Sequence, residues 1–376
     1  MKKVLSCLLC LCLVLSLCPR ASANEAAPDL SGYISNRASR RYVEAMLSYH
    51  LWENKSVQKA LKQGFSAVFL FEGCSDNMDD PELSDLSYYR VSAVCIVLRL
   101  DETGEPVIAY FNDNCSTLPD RPLEYGKWYI EGVGDVGPAT ICDGTYELYS
   151  VYHMGAYEAL HIRTSMMDET LEAVYMTPEG YVTSRANEVN IHTRTGNHTI
   201  EKAMWSAGCM LVGDGDFSDF TELLESTYYA VHENFFTGLR VGTLTIDRQC
   251  LQEELLELYG DQGAVETLLT VSRCAHPDTY LKRCTEAASM EPKTLRAARE
   301  TTLMTLPCSH ANDARAIPVL TLQEGERVEV SGTIVNTGGD LWYRVELLDG
   351  TCYVRAEDME EVPKTWWERV LEFFGG

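Results

Sequence analysis

Two residues of this chain, His192 and Cys209, stand in settings that could let them act together. In Asn187-Glu188-Val189-Asn190-Ile191-His192 the apolar residues alternate with polar ones, which predicts a strand ending at His192. Farther on, Ser206-Ala207-Gly208 is a turn of small residues that delivers Cys209 to the apolar run Met210-Leu211-Val212. A thiolate is a strong nucleophile, and a neighbouring imidazole is the usual means of generating one near neutral pH. This pairing predicts that the Cys209 sulfur lies within about 5 Å of a His192 ring nitrogen. It also predicts that Cys209 alkylates faster at neutral pH than the other cysteines. Taken alone, His192 would be an ordinary strand histidine, and Cys209 a buried thiol or half of a disulfide.

The His192 strand and the Ser206-Ala207-Gly208-Cys209 turn resemble the catalytic segment of L,D-transpeptidases, in which a histidine is followed, after a spacer of this size, by Ser/Thr-X-Gly-Cys. The resemblance extends more weakly upstream, to Asp143-Gly144-Thr145-Tyr146-Glu147-Leu148, and covers roughly residues 90 to 246. It implies a β-rich α+β fold, an L,D-transpeptidase-like β-sandwich with flanking helices. It gives Cys209 the role of nucleophile and His192 that of base, with Ser206 and Gly208 in the turn. It also implies backbone N–H groups near Gly208 and Cys209 as oxyanion donors, peptidoglycan stem peptides as partners, and no cofactor. Ala207 stands where the family usually has His or Asn, and Leu211 where it usually has Arg or Asn.

His161, Arg163 and Arg194 are candidates for substrate binding. His161 alternates with Leu160 and Ile162 on a strand, and either arginine could pair with a stem carboxylate. No metal site is expected. Asp214, Asp216, Ser218, Glu222 and Glu225 partly mimic a calcium loop, but Asp219 occupies the position that requires glycine.

The elements that must position these residues are mostly strands. A helix is expected over residues 37–63, then a strand at Gly64-Phe65-Ser66-Ala67-Val68-Phe69-Leu70-Phe71. A hairpin is expected from Val91–Leu100 and Val107–Asn112 about Gly104. Further strands are expected at Trp128-Tyr129-Ile130, Thr145–Val151, Ala159–Ile162 and Leu239–Ile246. Between the last two, Asp219 and Glu222 form a capping box for a helix.

Beyond residue 301 the texture changes. Leu322-Gln323-Glu324-Gly325-Glu326-Arg327-Val328-Glu329-Val330, Leu341-Trp342-Tyr343-Arg344-Val345 and Gly350-Thr351-Cys352-Tyr353-Val354 resemble a small bacterial SH3-like β-barrel. Trp342 is expected to pack that barrel rather than to contact a ligand.

The chain has 376 residues and a net charge of −25. Lys2 and Lys3, the apolar run Val4–Leu17 and Ala21-Ser22-Ala23 form a three-part secretory signal, with cleavage near Ala23. Its loss removes Lys2, Lys3 and Arg20 and leaves the chain more acidic still. Such a charge repels nucleic acid and anionic lipid. No later apolar run is long enough to span a bilayer. The ten cysteines beyond the signal contain no CxxC pair, so metal clusters and redox motifs are unsupported. Cys308 with Cys352, and Cys274 with Cys284, are possible disulfides.

The expected organisation is a signal peptide (1–23), an N-terminal helical and strand region (24–88), an L,D-transpeptidase-like domain (89–248), a helical spacer (249–300), an SH3-like domain (301–362) and an amphipathic tail (363–376). The reading is of an exported or cell-envelope protein that performs cysteine-dependent acyl transfer on peptidoglycan stems. Two alternatives are a non-catalytic wall-binding protein that keeps the fold and a cysteine peptidase or amidase on the same scaffold.

Overall fold

The computed structural model describes residues 28–79, 92–119, 121–126, 128–153, 157–193, 206, 208–213, 217–224, 238–348 and 350–363. The secretory signal, Arg194, Ala207, Asp214, Asp216, Glu225 and the amphipathic tail beyond 363 lie outside the described residues.

The long helix expected over residues 37–63 is two helices, α1 (Arg37–Glu53) and α2 (Lys55–Lys62). Asn54 makes the break. Its side-chain oxygen accepts from the amides of Ser56 and Val57, capping α2, while its NH2 reaches His50 Nδ1 at 3.0 Å and Thr145 Oγ1 at 2.8 Å. An asparagine whose side chain satisfies the first amides of a helix favours starting a new helix over continuing the old one.

The protein is a β-rich α+β structure. Its first body is built from β1 (Ser66–Glu72), β2 (Ala93–Leu100), β3 (Pro106–Ser116), β4 (Trp128–Ile130), β5 (Gly134–Val136), β6 (Thr140–Ile141), β7 (Gly144–His153), β8 (Tyr157–Arg163), β9 (Leu171–Thr177), β10 (Gly180–Ala186), β11 (Asn190–His192), β12 (Met210–Val212) and β13 (Arg240–Asp247). Eight of these close into a ring in the order β1-β13-β7-β8-β11-β12-β3-β2. The strands expected to form a two-layer sandwich therefore share one closed sheet, except Trp128–Ile130, which pairs with β5 in a separate two-stranded sheet.

The sequence dictates the faces of that sheet. Along β1, Val68 and Leu70 join a core cluster with Cys95, Cys115, Leu148, Leu160, Ile162, Ile191, Met210 and Leu244, so every ring strand contributes to it. The intervening Ala67, Phe69 and Phe71 pack with Val43, Met46, Leu47 and Val57 of the two helices. A strand buried on both faces reads as a continuous apolar run, as β1 does.

The hairpin expected about Gly104 is present as β2 and β3, with Gly104 at φ +91°. The helix expected to open at Asp219 starts earlier, as α3 (Phe217–Leu223), with Asp219 in its first turn.

Two expected boundaries move. β1 belongs to the ring, so the first body begins before residue 89. The spacer expected to be helical over 249–300 is helical only as far as Leu281. Residues Thr285–Ala297 form β14, which pairs with β17 (Arg327–Val335) and β20 (Met359–Glu361). With β15 (Thr301–Met304), β16 (Pro318–Leu322), β18 (Leu341–Leu347) and β19 (Gly350–Arg355) they make one sheet, ordered β16-β15-β19-β18-β17-β14-β20. Leu295 and Ala297 of β14 enter its core beside Val330, Val345 and Val354. Trp342 is 3% exposed and packs with Tyr280, Leu306 and Cys308, as a core residue would.

Helix α1 touches both bodies. Tyr42 donates to Asp247 at the end of β13 (2.7 Å). On the other side Arg41 meets Cys352 (3.2 Å), Ser48 donates to the Ala314 carbonyl, and the Arg315 guanidinium lies 5.4 Å from the Tyr49 ring centroid. Among the described residues no helix is long and apolar enough to cross a membrane.

Candidate active site

β11 and β12 are neighbours and run parallel, with Ile191 opposite Met210 and His192 opposite Leu211. Ile191 and Met210 face the core. Alternation therefore turns Asn190, His192 and Cys209 to the other face. The strands next door follow the same rule: Asn190 pairs with His161 of β8, and His161 with Tyr149 of β7. Two strand residues past Val151, and so on the same face, stands His153.

A ring nitrogen of His192, a ring nitrogen of His153 and the Cys209 sulfur all lie within 4.8 Å of one another. The Cys209–His192 approach expected from the spacing is therefore present, and Cys209 is a free thiol. The two imidazoles stack, with centroids 4.6 Å apart and planes 16° from parallel. His192 Nδ1 donates to the Thr193 carbonyl at 2.6 Å. In a neutral ring that leaves Nε2 as the basic nitrogen.

Ser206 and Gly208 hold the turn. Ser206 Oγ donates to the Cys209 carbonyl (2.5 Å) and accepts from the Gly208 amide (3.2 Å). Gly208 has φ +132°, and a Cβ there would sit 2.9 Å from the Ala139 carbonyl oxygen. Both facts demand glycine. The Gly208 amide is thus spent on Ser206, contrary to the oxyanion role expected of it. Of the two amides named for that role, Cys209's remains.

His161 and Arg163, two residues apart on β8, share the sheet face that carries Asn190. His161 Nδ1 bonds Asn190 Oδ1 (2.7 Å), and its Nε2 faces Glu169 (3.4 Å). Asn190 passes the chain on, its NH2 reaching His153 Nδ1 at 2.7 Å. Arg163 lies over the Tyr149 ring (4.9 Å), donates to the Met166 carbonyl (3.3 Å) and approaches Glu169 (3.9 Å). Both were candidates for substrate binding. Among the described residues a backbone carbonyl, a carboxylate and an aromatic ring lie against Arg163, and Asn190 and Glu169 against His161.

The electrostatics favour neutral groups. Burial pushes His192 down to about 4, although its bond to the Thr193 carbonyl works the other way. Burial also lowers His153. The Cys209 thiol is raised by burial, against the pull of the Asn190 backbone N–H, with Glu188 adding to the rise. The resting pair is therefore thiol and imidazole, not thiolate and imidazolium. That runs against the expectation of an unusually reactive Cys209 at neutral pH.

Leu211, where the resembled family has a polar residue, is 1% exposed. The disulfides expected for Cys308 with Cys352 and Cys274 with Cys284 do not form: all ten described cysteines are free thiols. Cys352 lies against Arg41, while Cys308 and Cys284 both neighbour Tyr280.

Sequence reasoning missed His153. Its signal was present, since Tyr149, Val151 and His153 alternate on one strand. Which strand lay beside it was not readable. No protein-family model, no curated protein and no solved structure matches this chain.

Proposed function

We propose that this protein is an exported, cell-envelope acyltransferase that uses Cys209 and His192 on peptide carbonyls of peptidoglycan stems. The observation that carries the reading is the approach of the Cys209 sulfur to His192, whose Nδ1 is held by the Thr193 carbonyl. The L,D-transpeptidase-like reading of the first body, and the SH3-like reading of the second, rest on the sequence resemblances.

Because both groups rest neutral, the chemistry runs by general base catalysis. His192 Nε2 takes the thiol proton as the sulfur attacks the carbonyl carbon. The oxyanion draws on the Cys209 amide. Collapse breaks the C–N bond, His192 returns its proton to the leaving amine, and a thioester remains. A second amine, or water, then attacks while His192 takes its proton. The C–S bond breaks and the sulfur recovers a proton from His192.

A second reading, a wall-binding protein without activity, is supported by the buried Leu211, which offers substrate no polar contact. Mass spectrometry of muropeptides incubated with wild type and Cys209→Ala tests both. New cross-links lost in the variant support the transpeptidase, and shortened stems alone support a peptidase or amidase. Unchanged muropeptides together with binding to sacculi favour the second reading.

A further inference from the structure

We infer that His153, His192 and Cys209 form a binding site for a soft divalent cation, of which Zn2+ is the representative. One sulfur and two imidazole nitrogens are a donor set that suits Zn2+, and three protein ligands leave a fourth position for water. The three donors come from three strands of one closed sheet: His153 ends β7, His192 ends β11, and Cys209 immediately precedes β12. They are brought together by tertiary structure, not by a local sequence motif.

The distances come close to what the ion requires. Zn–S of about 2.3 Å and Zn–N of about 2.0–2.1 Å, at tetrahedral angles, put donor atoms roughly 3.3–3.6 Å apart. The observed separations are at most 4.8 Å. Small side-chain rotations close that gap. The stacked imidazoles must tilt, because each lone pair lies in its own ring plane. His192 is buried and pinned to Thr193, whereas His153 is partly exposed, so His153 makes most of the movement.

The surroundings resemble those of ligating histidines, which commonly give their second nitrogen to a carbonyl or carboxylate-linked group. His192 gives Nδ1 to the Thr193 carbonyl. His153 Nδ1 meets the Asn190 side chain, itself tied through His161 to Glu169. As placed, the Asn190 NH2 donates to His153 Nδ1 and to the Glu188 carbonyl (3.1 Å), so ligation through His153 Nε2 requires the other tautomer and a turn of the amide that gives up the Glu188 contact. On binding, the Cys209 S–H bond breaks, the sulfur pair forms the Zn–S bond, and the proton leaves to water.

The site stands whether or not Cys209 is a nucleophile. Its consequence, that the cation silences acyl transfer by occupying the sulfur, rests on the proposed function.

The experiment uses the mature protein, reduced and stripped with a chelator. Zn2+ affinity is measured by competition with a chromophoric chelator, and Co2+ is added separately to look for a sulfur-to-cobalt charge-transfer band. The expected result is one Zn2+ per chain with a Kd tighter than about 10 μM, and a cobalt band. Both should be lost in Cys209→Ser and the affinity should fall at least tenfold in His153→Ala, with thermal unfolding showing that each variant is folded. Weaker binding by wild type would overturn the site. So would binding that survives both substitutions, since it would belong to other thiols such as the exposed Cys250 and Cys274. Muropeptide turnover in the presence of chelator tests the catalytic reading separately, because the optical measurements need no turnover.

Discussion

Replacing Arg248 by methionine should destabilise the protein severely, and in a pH-dependent way. Arg248 follows β13 and is wholly buried. Its guanidinium bonds Asp143 Oδ1 (2.5 Å), the Ile141 carbonyl (3.0 Å), the Thr117 carbonyl (2.8 Å) and Thr117 Oγ1 (2.8 Å). It thereby ties the end of β3, the start of β7 and the end of β13 at one pole of the ring. Methionine fills much of the space but leaves Asp143 with only Ser272 and the backbone amide of residue 248. Removing one partner of a buried ion pair costs about 3–5 kcal/mol, a large part of the roughly 5–15 kcal/mol that holds a domain folded.

The sign of the pH dependence follows from Asp143. Burial already pushes its carboxyl up, and Arg248 pulls it down. Without Arg248 the folded value rises further above the unfolded value of about 3.9. A carboxyl raised on folding contributes fully below the unfolded value and loses stability as pH increases, at about 1.4 kcal/mol per unit until the folded value is passed. Urea unfolding at pH 5 and pH 8 should therefore show a deficit that grows with pH, and adding Asp143→Asn should recover part of it at pH 8. A deficit below about 1 kcal/mol, or one that is the same at both pH values, would refute the reasoning.

Iodoacetamide labelling of Cys209 should increase about tenfold per pH unit between pH 6 and 8, because the thiol sits below its raised pKa throughout; a plateau below pH 6 would reveal a resting ion pair instead. His50, which burial pushes down to about 3, is charged in the unfolded chain below about pH 6.5 but not in the folded one, so it removes stability as pH falls. Relative to wild type, His50→Leu should gain about 2 kcal/mol on going from pH 7.5 to pH 5 in urea unfolding. Comparing variants matters here, because Asp247, pushed up to about 7 by burial, changes stability in the opposite direction. A fragment of residues 301–363 should lack a cooperative thermal transition, while 285–363 regains one, since only the longer piece contains β14. Folding of the shorter piece would contradict the sheet order.

What the sequence made legible was local. The β2–β3 hairpin could be read because Gly104 supplies the turn and the flanking residues alternate. His192 and Cys209 could be read because each carries its own cue, strand alternation in one case and a small-residue turn in the other. β14 could not. Thr285-Glu286-Ala287-Ala288-Ser289-Met290-Glu291 is rich in helix formers, and its strand conformation comes from pairing with β17, some forty residues later in the chain. His153 was hidden for the same kind of reason: its partners are fixed by the closure of the ring, which no single segment encodes. The contacts of Arg163 and His161 could not be read either, because a strand residue's type does not say whether a neighbouring acid lies beside it.

Helix α1 spans the two bodies, and this gives the protein a property that a flexible linker would not. Tyr42 anchors it to Asp247 on the ring, and Arg41, Ser48 and Tyr49 anchor it to the second sheet. A module joined by a tether can search a volume. One braced by a shared helix holds whatever it grips at a set offset from Cys209. If the second sheet grips the wall, the spacing between grip point and thiol acts as a ruler, selecting stems by how far they lie from the anchor as well as by their chemistry.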